Sequence, residues 1–382
     1  MQLRFQYRIY PTPAQRDSLA RAFGCARVVF NDALRARRDA YAEGRKISDS
    51  EVQKLVVTAA KRTPNRAWLA EVSSVVLVQA CQDARMAYRN WFDSMSGRRQ
   101  GRRVGAPRFR SRKDHRQAIR LTRNGFSIRT NRKLYVAKVG ELTVRWSREL
   151  PSEPSSVTVI RDAADRFFAS FVVEAIDEPL PPIDSEVGID LGLTRFAVLS
   201  NGKVIDSPKF LRQTERKLRK AQQALSRKKE GSKNRAKARM RVARAHARVS
   251  DQRRDWAHKN STAIIRENQA VFVEDLCVTG LARTRLAKSV HDAGWAMFTR
   301  LLEEKAGRYG RHFVRVDRWF PSSQICSACG VLDGPKPLSV RQWQCRACGV
   351  VHDRDLNAAI NIHAAGHAEW LNACGETVSL HA

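Results

Sequence analysis

Apolar and polar residues alternate strictly at the start of the chain. Leu3, Phe5, Tyr7 and Ile9 are interleaved with Arg4, Gln6 and Arg8, the two-residue period of a half-buried strand. Thr12 and Pro13 then suit an N-cap and a first helical position, and Leu19, Phe23, Ala26, Phe30 and Leu34 recur at helical spacing. A further helix is expected from about Val72 to Phe92. From Phe126 to about Glu174 the period returns to two, in FSIRT, KLYVAKV, ELTVRW, SSVTVI and FFASFVVEA, separated by Asn, Gly, Pro and Asp turns. The pattern predicts a small β-barrel split by a helical insertion. After an acidic, proline-rich linker, DEPLPPIDSE at 177–186, a new domain is expected at Val187. VGIDLGL and RFAVLS pair as a hairpin, and Asn201-Gly202 turns the chain into KVID. A basic helical stretch, the apolar strand AVFVEDL, a helix around Trp295–Tyr309, the strand FVRVD, a cysteine cluster and a last helix, DLNAAINIHAAGHAEWL, complete the chain. This β-β-β-α-β-α-β-α order is that of a ribonuclease-H-like domain.

Charge narrows the partners. With 382 residues, two or three domains are expected. Lys and Arg number 70 against 38 Asp and Glu, a net charge of +32, and such a chain is expected to bind a polyanion. Apolar residues make up 43%, enough to build cores and to exclude wholesale disorder. The excess is concentrated. Residues 209–254 hold 18 Lys or Arg against Glu215, Glu230 and Asp251, over a thin apolar seam of Leu218, Ala221, Leu225, Met240, Ala243 and Ala247. A solvated helix face mixes signs to gain i,i+4 pairs; this one does not, so its expected role is to hold phosphate backbone through residues such as Arg216, Lys217, Arg219, Lys220, Lys228, Lys233, Arg235, Lys237 and Arg241. The Gly/Arg-rich segment 97–116 carries nine more, Arg108 and Arg110 among them, against Asp114 alone. MQLRFQYRIY lacks the apolar run of a signal peptide and no stretch approaches a membrane span, so a cytoplasmic protein is expected.

Two groups of residues carry chemistry. CSAC at 326–329 and CRAC at 345–348 give C-x2-C-x15-C-x2-C, the spacing of one closed, structural zinc site made by Cys326, Cys329, Cys345 and Cys348. His352 beside them is a further candidate ligand, but four thiolates already fill a tetrahedron. The other four cysteines are scattered singly, so no disulfide framework is expected. Asp190, inside the apolar GIDLGL, Glu274, at the end of AVFV, and Asp355, opening the last helix, are carboxylates from three elements. Such a set suits two Mg²⁺ ions about 4 Å apart for phosphodiester hydrolysis. Singly, each also reads as a turn residue, a strand-end charge or a helix cap. Asp275 and Asp353 are rival ligands that chemistry alone leaves open. The aromatic residues Trp91, Phe92, Trp146, Trp256, Trp295, Trp319 and Trp343 could stack on bases, but most aromatics are core residues, so none of them is assigned a role. No helix-turn-helix, C2H2 finger or other base-reading module is legible.

RIYPTPAQ, FNDAL, GAPRF at 105–109, GIDLGL, SKNRAKAR, VFVEDL, PSSQICSACG and CRACGVVHDRDLNAAINI together resemble the TnpB family, transposon-encoded RNA-guided DNA endonucleases related to type V CRISPR effectors. The resemblance spans nearly the whole chain. It implies an α+β multidomain architecture: a wedge-type, oligonucleotide-binding-like β-barrel at 1–12 and 97–178, a helical recognition domain at 13–96, and a RuvC-like nuclease domain at 187–382 with a zinc ribbon inserted at 320–351. It also implies that Asp190, Glu274 and Asp355 are the nuclease triad. Gln79 resembles a position that contacts the short motif beside the target. The implied partners are a guide RNA from the transposon end and double-stranded target DNA, and the cofactors are Mg²⁺ and Zn²⁺. One departure is Ala137, where the family usually has proline, in a barrel loop. A non-cleaving RNA-guided regulator and a strand-joining transposase are the alternative readings.

Overall fold

The computed structural model describes residues 1–177, 179–277, 280, 283, 287–337 and 339–373. The chain divides into two compact units, Met1–Ile176 and Asp177–Ala382. Cys374 lies outside the described residues.

The first unit is a seven-stranded antiparallel sheet carrying helices. Its strands are β1 (Gln2–Tyr10), β2 (Gln117–Thr122), β3 (Phe126–Ile128), β4 (Leu134–Val136), β5 (Gly140–Arg145), β6 (Ser156–Arg161) and β7 (Phe167–Glu174), in the order β2-β6-β7-β1-β5-β4-β3. β2 and β3 therefore lie on opposite edges, yet only Arg123–Gly125 joins them. A link of three residues spans about 10 Å at most, so the sheet has to curl until its edges nearly meet. Tyr7, Ile9, Leu121, Leu134, Val159 and Phe171 fill the interior. Between β1 and β2 the chain makes α1 (Pro13–Ala42), α2 (Asp49–Gln53) and α3 (Ser74–Met95). The Thr12 hydroxyl accepts the Gln15 N–H and the Gln15 side chain accepts the Thr12 N–H, a capping box that fixes where α1 starts.

The second unit has a five-stranded sheet of order β10-β9-β8-β11-β12, formed by β8 (Glu186–Leu191), β9 (Arg195–Leu199), β10 (Val204–Asp206), β11 (Ala270–Glu274) and β12 (His312–Val316). β8, β9 and β10 are antiparallel neighbours, whereas β11 runs parallel to both β8 and β12. α4 (Phe210–Ser226) packs on α5 (Lys233–Glu267), and α6 (Ala287–Ala293) precedes α7 (Trp295–Tyr309). The pair β13 (Gln342–Gln344) and β14 (Val351–Asp353) closes the cysteine ribbon before α8 (Arg354–Ala373). One sheet face, with Val187, Ile189, Val271 and Val273, buries against α5 and α7 residues such as Ile264, Phe298 and Leu302. The other face, with Ala270, Phe272 and Val316, buries against Ile362 and Ala365 of α8. No helix among the described residues is long and apolar enough to cross a membrane.

Candidate active site and zinc ribbon

Strand alternation decides which side chains β8 turns towards α8. Val187, Ile189 and Leu191 enter the core with α5 and α7, so Glu186, Gly188 and Asp190 take the opposite face. On α8, Asp355, Ala359, His363 and His367 repeat every four residues and form one stripe. The two rows meet along their length. Glu186 accepts from His367 Nδ1 at 2.7 Å and lies 3.4 Å from His363 Nε2. At the middle, a Cβ on Gly188 would lie 2.2 Å from the Ala359 carbonyl oxygen and 2.5 Å from the His363 nitrogen. At the far end, Asp190 feels the charge of Asp355.

Gly188 is thus a spacer that sets how closely the helix lies on the strand. Gly188→Ala would force backbone apart, and the expected loss is about 1–3 kcal/mol. Thermal unfolding should show a midpoint lowered by about 2–4 °C per kcal/mol. An unchanged midpoint would disprove this packing.

Glu274 arrives from the neighbouring strand. The parallel register pairs Val273 with Ile189, so the next step sets Glu274 beside Asp190 at the carboxyl ends of β11 and β8. Neither carboxylate has a hydrogen-bond or ion-pair partner among the described residues. Burial, then Asp355 and Glu274, push the Asp190 pKa up to about 8. Burial and then Asp275 raise that of Glu274. Two buried carboxylates without a close partner, beside an Asp355 held by arginine, offer oxygen donors of the kind a divalent cation takes.

The two rival acids are engaged elsewhere. Asp275 is bound by the Arg318 guanidinium, with Arg315 at 3.9 Å. Asp353 caps α8, its Oδ1 accepting from the Asp355 and Leu356 N–H groups at 3.1 and 3.0 Å, and its Oδ2 accepts from Arg195 at 3.1 Å. Burial opposes ionisation of Asp353, but those N–H groups and Arg195 outweigh it and lower its pKa. Asp355 itself is held by Arg341 at 3.3 Å, with Arg195 at 4.0 Å. Sequence reasoning did not single out Arg341 or Arg195, because nothing local marks one arginine in a chain so rich in them.

The ribbon satisfies the geometry of a tetrahedral metal. All four thiol sulfurs lie within 4.8 Å of one another, with Cys326–Cys348 at 3.6 Å and Cys329–Cys345 at 3.7 Å. Four Zn–S bonds of about 2.3 Å require sulfurs about 3.8 Å apart, so the set fits zinc without rearrangement. Among the described residues these four are the one group gathered so closely; the acidic carboxylates stand farther apart. N–H groups of Cys348 and Ala347 act on Cys345 from within the knuckle and help lower its pKa to about 7. His352 Nε2 sits 3.0 Å from Cys326 Sγ, placed to donate to that thiolate rather than to add a fifth ligand, and its ring lies against Trp343 at a tilt of 37°.

The basic helices are open to solvent. Arg216, Lys217, Arg219, Lys220, Lys228, Lys233, Lys237 and Arg241 are exposed, whereas the Arg235 guanidinium turns back to the Lys228 carbonyl at 2.8 Å and holds the α4–α5 turn. In the first unit Arg108 is exposed. Arg110 lies over the Phe30 ring at 3.8 Å and pairs with Asp83 at 3.2 Å. Gln79 is half-buried on α3, one turn before Asp83.

Known proteins place the chain. Family models match at three stretches: residues 170–285 match one described as "Probable transposase", 295–362 a "Cas12f1-like, TNB domain", and 1–46 a "Helix-turn-helix domain". Despite that last description, residues 1–46 fold as β1 followed by the single long helix α1. A Streptomyces pristinaespiralis protein named "Putative RNA-guided DNA endonuclease" is 46% identical over 379 residues, 98% of this chain and 91% of that protein. An Escherichia coli K12 protein of the same description is 28% identical, covering 98% and 94%. The fold resembles that of Cas12f1 in a complex with sgRNA and target DNA, with a TM-score of 0.54 and 15% identity over 91% of this chain and 83% of the other. Motifs, relatives and fold agree, and the chain belongs to the TnpB family.

Proposed function

We propose that this chain is an RNA-guided DNA endonuclease, cutting DNA in the cytoplasm under the direction of a guide RNA made from the transposon end. The observation that carries the reading is the convergence of Asp190, Glu274 and Asp355 at the ends of β8 and β11 and the start of α8. The strand order of the second unit supports a RuvC-like, RNase-H-like nuclease domain over 187–382, with the zinc ribbon at 320–351 inserted in it. The rolled sheet supports an oligonucleotide-binding-like barrel over 1–12 and 97–178, interrupted by a helical recognition domain at 13–96.

In this reading Asp190, Glu274 and Asp355 would hold two Mg²⁺ ions, which would supply an activated water and stabilise the leaving oxygen. Asp190 would serve as a ligand in its ionised form. The guanidinium of Arg341 and that of Arg195 hold Asp355 in place, and Asp353 fixes the helix start that presents it. The exposed basic residues of α4 and α5, with Arg108, Arg110 and Gln79 of the first unit, serve the nucleic acids. Arg235 contributes by shaping the turn.

Charge of this kind grips phosphate without choosing a sequence, so base pairing with a bound RNA supplies the choice and the protein keeps only a short flanking motif. The test is purified chain with RNA transcribed from its transposon end. Rewriting the guide segment should move the cut to the matching site beside the same flanking motif. Cleavage at one fixed sequence whatever the RNA would overturn guidance.

A further inference from the structure

We propose that Trp319, on the turn after β12, is a stacking platform for an unpaired nucleobase, a binding role for single-stranded nucleic acid seated on the nuclease unit. The inference rests on the nuclease reading only for which strand lies there. Seven of the eight tryptophans are buried, half-buried or, for Trp68, 37% exposed; Trp319 stands apart at 84%.

A hydrogen-bonded backbone turn presents this residue at the surface. The Trp319 N–H donates to Asp317 Oδ1 at 2.7 Å, and the Phe320 N–H donates to the Asp317 carbonyl at 3.1 Å. Phe320 packs inward against the cluster of Ala270, Phe272, Val316 and Ile362. The turn is also tied to the acidic site. Arg318 binds Asp275, whose N–H donates to the Val316 carbonyl, and Val316 pairs in register with Glu274. Trp319 follows Val316 by three residues, so its Cα lies no more than about 16 Å from that of Glu274. A large rigid ring exposed to water there, in a chain of net charge +32, suits the way proteins hold single strands: stacking on the base, charge on the backbone.

The test uses the full chain carrying Asp190→Ala, as purified, so that binding is read without cleavage. Fluorescence anisotropy follows a fluorescein-labelled 12-nucleotide oligothymidylate and an abasic oligomer of equal length. Adding Trp319→Ala should weaken oligothymidylate binding about tenfold and abasic binding less than about twofold. The salt slope should be unchanged, since no phosphate contact is lost. Trp319→Phe should restore most of the loss. Equal losses on both oligomers, an altered slope, an unaltered affinity, or no binding of single strands by the parent protein would each overturn the proposal. Failure of the nuclease reading shows separately, as absence of guided cleavage by the protein with Asp190 intact.

Discussion

Replacing Asp190, Glu274 or Asp355 with Ala is expected to lower guided cleavage by at least about 10³-fold, some 4 kcal/mol of transition-state stabilisation, while nucleic-acid affinity stays near that of the parent. Asp275→Ala and Asp353→Ala are the informative comparisons, because each is the chemical twin of a triad member one or two residues away. Asp275 serves Arg318 and Asp353 serves the α8 N–H groups, so their loss should act through stability, with a smaller loss of rate. Gel-based cleavage rates with bound-fraction controls check this. A triad variant with near-parent rate would remove that residue from the site.

Burial of Asp190, with the neighbouring carboxylates, fixes two signs. With the Asp190 pKa raised to about 8, the proton is bound more tightly by the folded chain than by the unfolded one. The metal-free protein therefore loses stability as pH rises from the unfolded carboxylate range through about 8. Asp190→Asn, which cannot ionise, should raise the unfolding midpoint at pH 8 in the absence of divalent ions, by about 2–4 °C for each kcal/mol relieved. If Asp190 is a Mg²⁺ ligand, the ion competes with that proton, and cleavage at limiting Mg²⁺ should increase up to about pH 8. A midpoint lowered by Asn and a flat pH profile would together show that Asp190 is not strained by its neighbours.

Much of this site is legible in the sequence because its elements are local. A carboxylate between apolar neighbours in GIDLGL, a strand as apolar as AVFV ending in Glu274, and paired CxxC units announce themselves by composition and spacing. The partition of neighbouring acids is not local. What separates Glu274 from Asp275 is the side of the strand each faces, and Asp275 is claimed by Arg318, 43 residues away. Arg195 meets Asp353 across 158 residues. The curl of the first sheet is similarly hidden: FSIRT and KLYVAKV read as strands, but only the pairing order reveals that β2 and β3 are opposite edges joined by three residues. Trp319 defeats composition too. Most of the other tryptophans are buried or half-buried, and exposure at one Asp317 turn leaves no periodic trace.

Removing zinc is expected to damage the acidic site as well as the ribbon, because the first knuckle is stitched to the helix that carries Asp355. The Ser327 N–H donates to Asn357 Oδ1 at 2.9 Å, and the amides of Asn357 and Asn361 both donate to the Ile325 carbonyl, at 2.8 and 2.7 Å. Both asparagines are almost fully buried and also donate to the Ser322 carbonyl, at 3.4 and 2.7 Å, so losing the knuckle would weaken a shared set of buried hydrogen bonds, each worth about 0.5–1.5 kcal/mol. The second knuckle reaches the same helix start, where the Arg354 N–H donates to the Arg341 carbonyl and the Arg341 guanidinium holds Asp355. Four thiolates held only by one ion have no other reason to stay together, and structural zinc of this kind supplies folding energy directly. Cys345→Ser should therefore abolish the one equivalent of zinc expected in the parent, lower the unfolding midpoint of the nuclease unit by several degrees, and raise the Mg²⁺ concentration needed for half-maximal cleavage. Metal analysis, thermal unfolding and a Mg²⁺ titration read the three effects. A Cys345→Ser protein that loses zinc yet keeps the parent's midpoint and Mg²⁺ requirement would show that the asparagine stitches do not transmit the ribbon's order to Asp355.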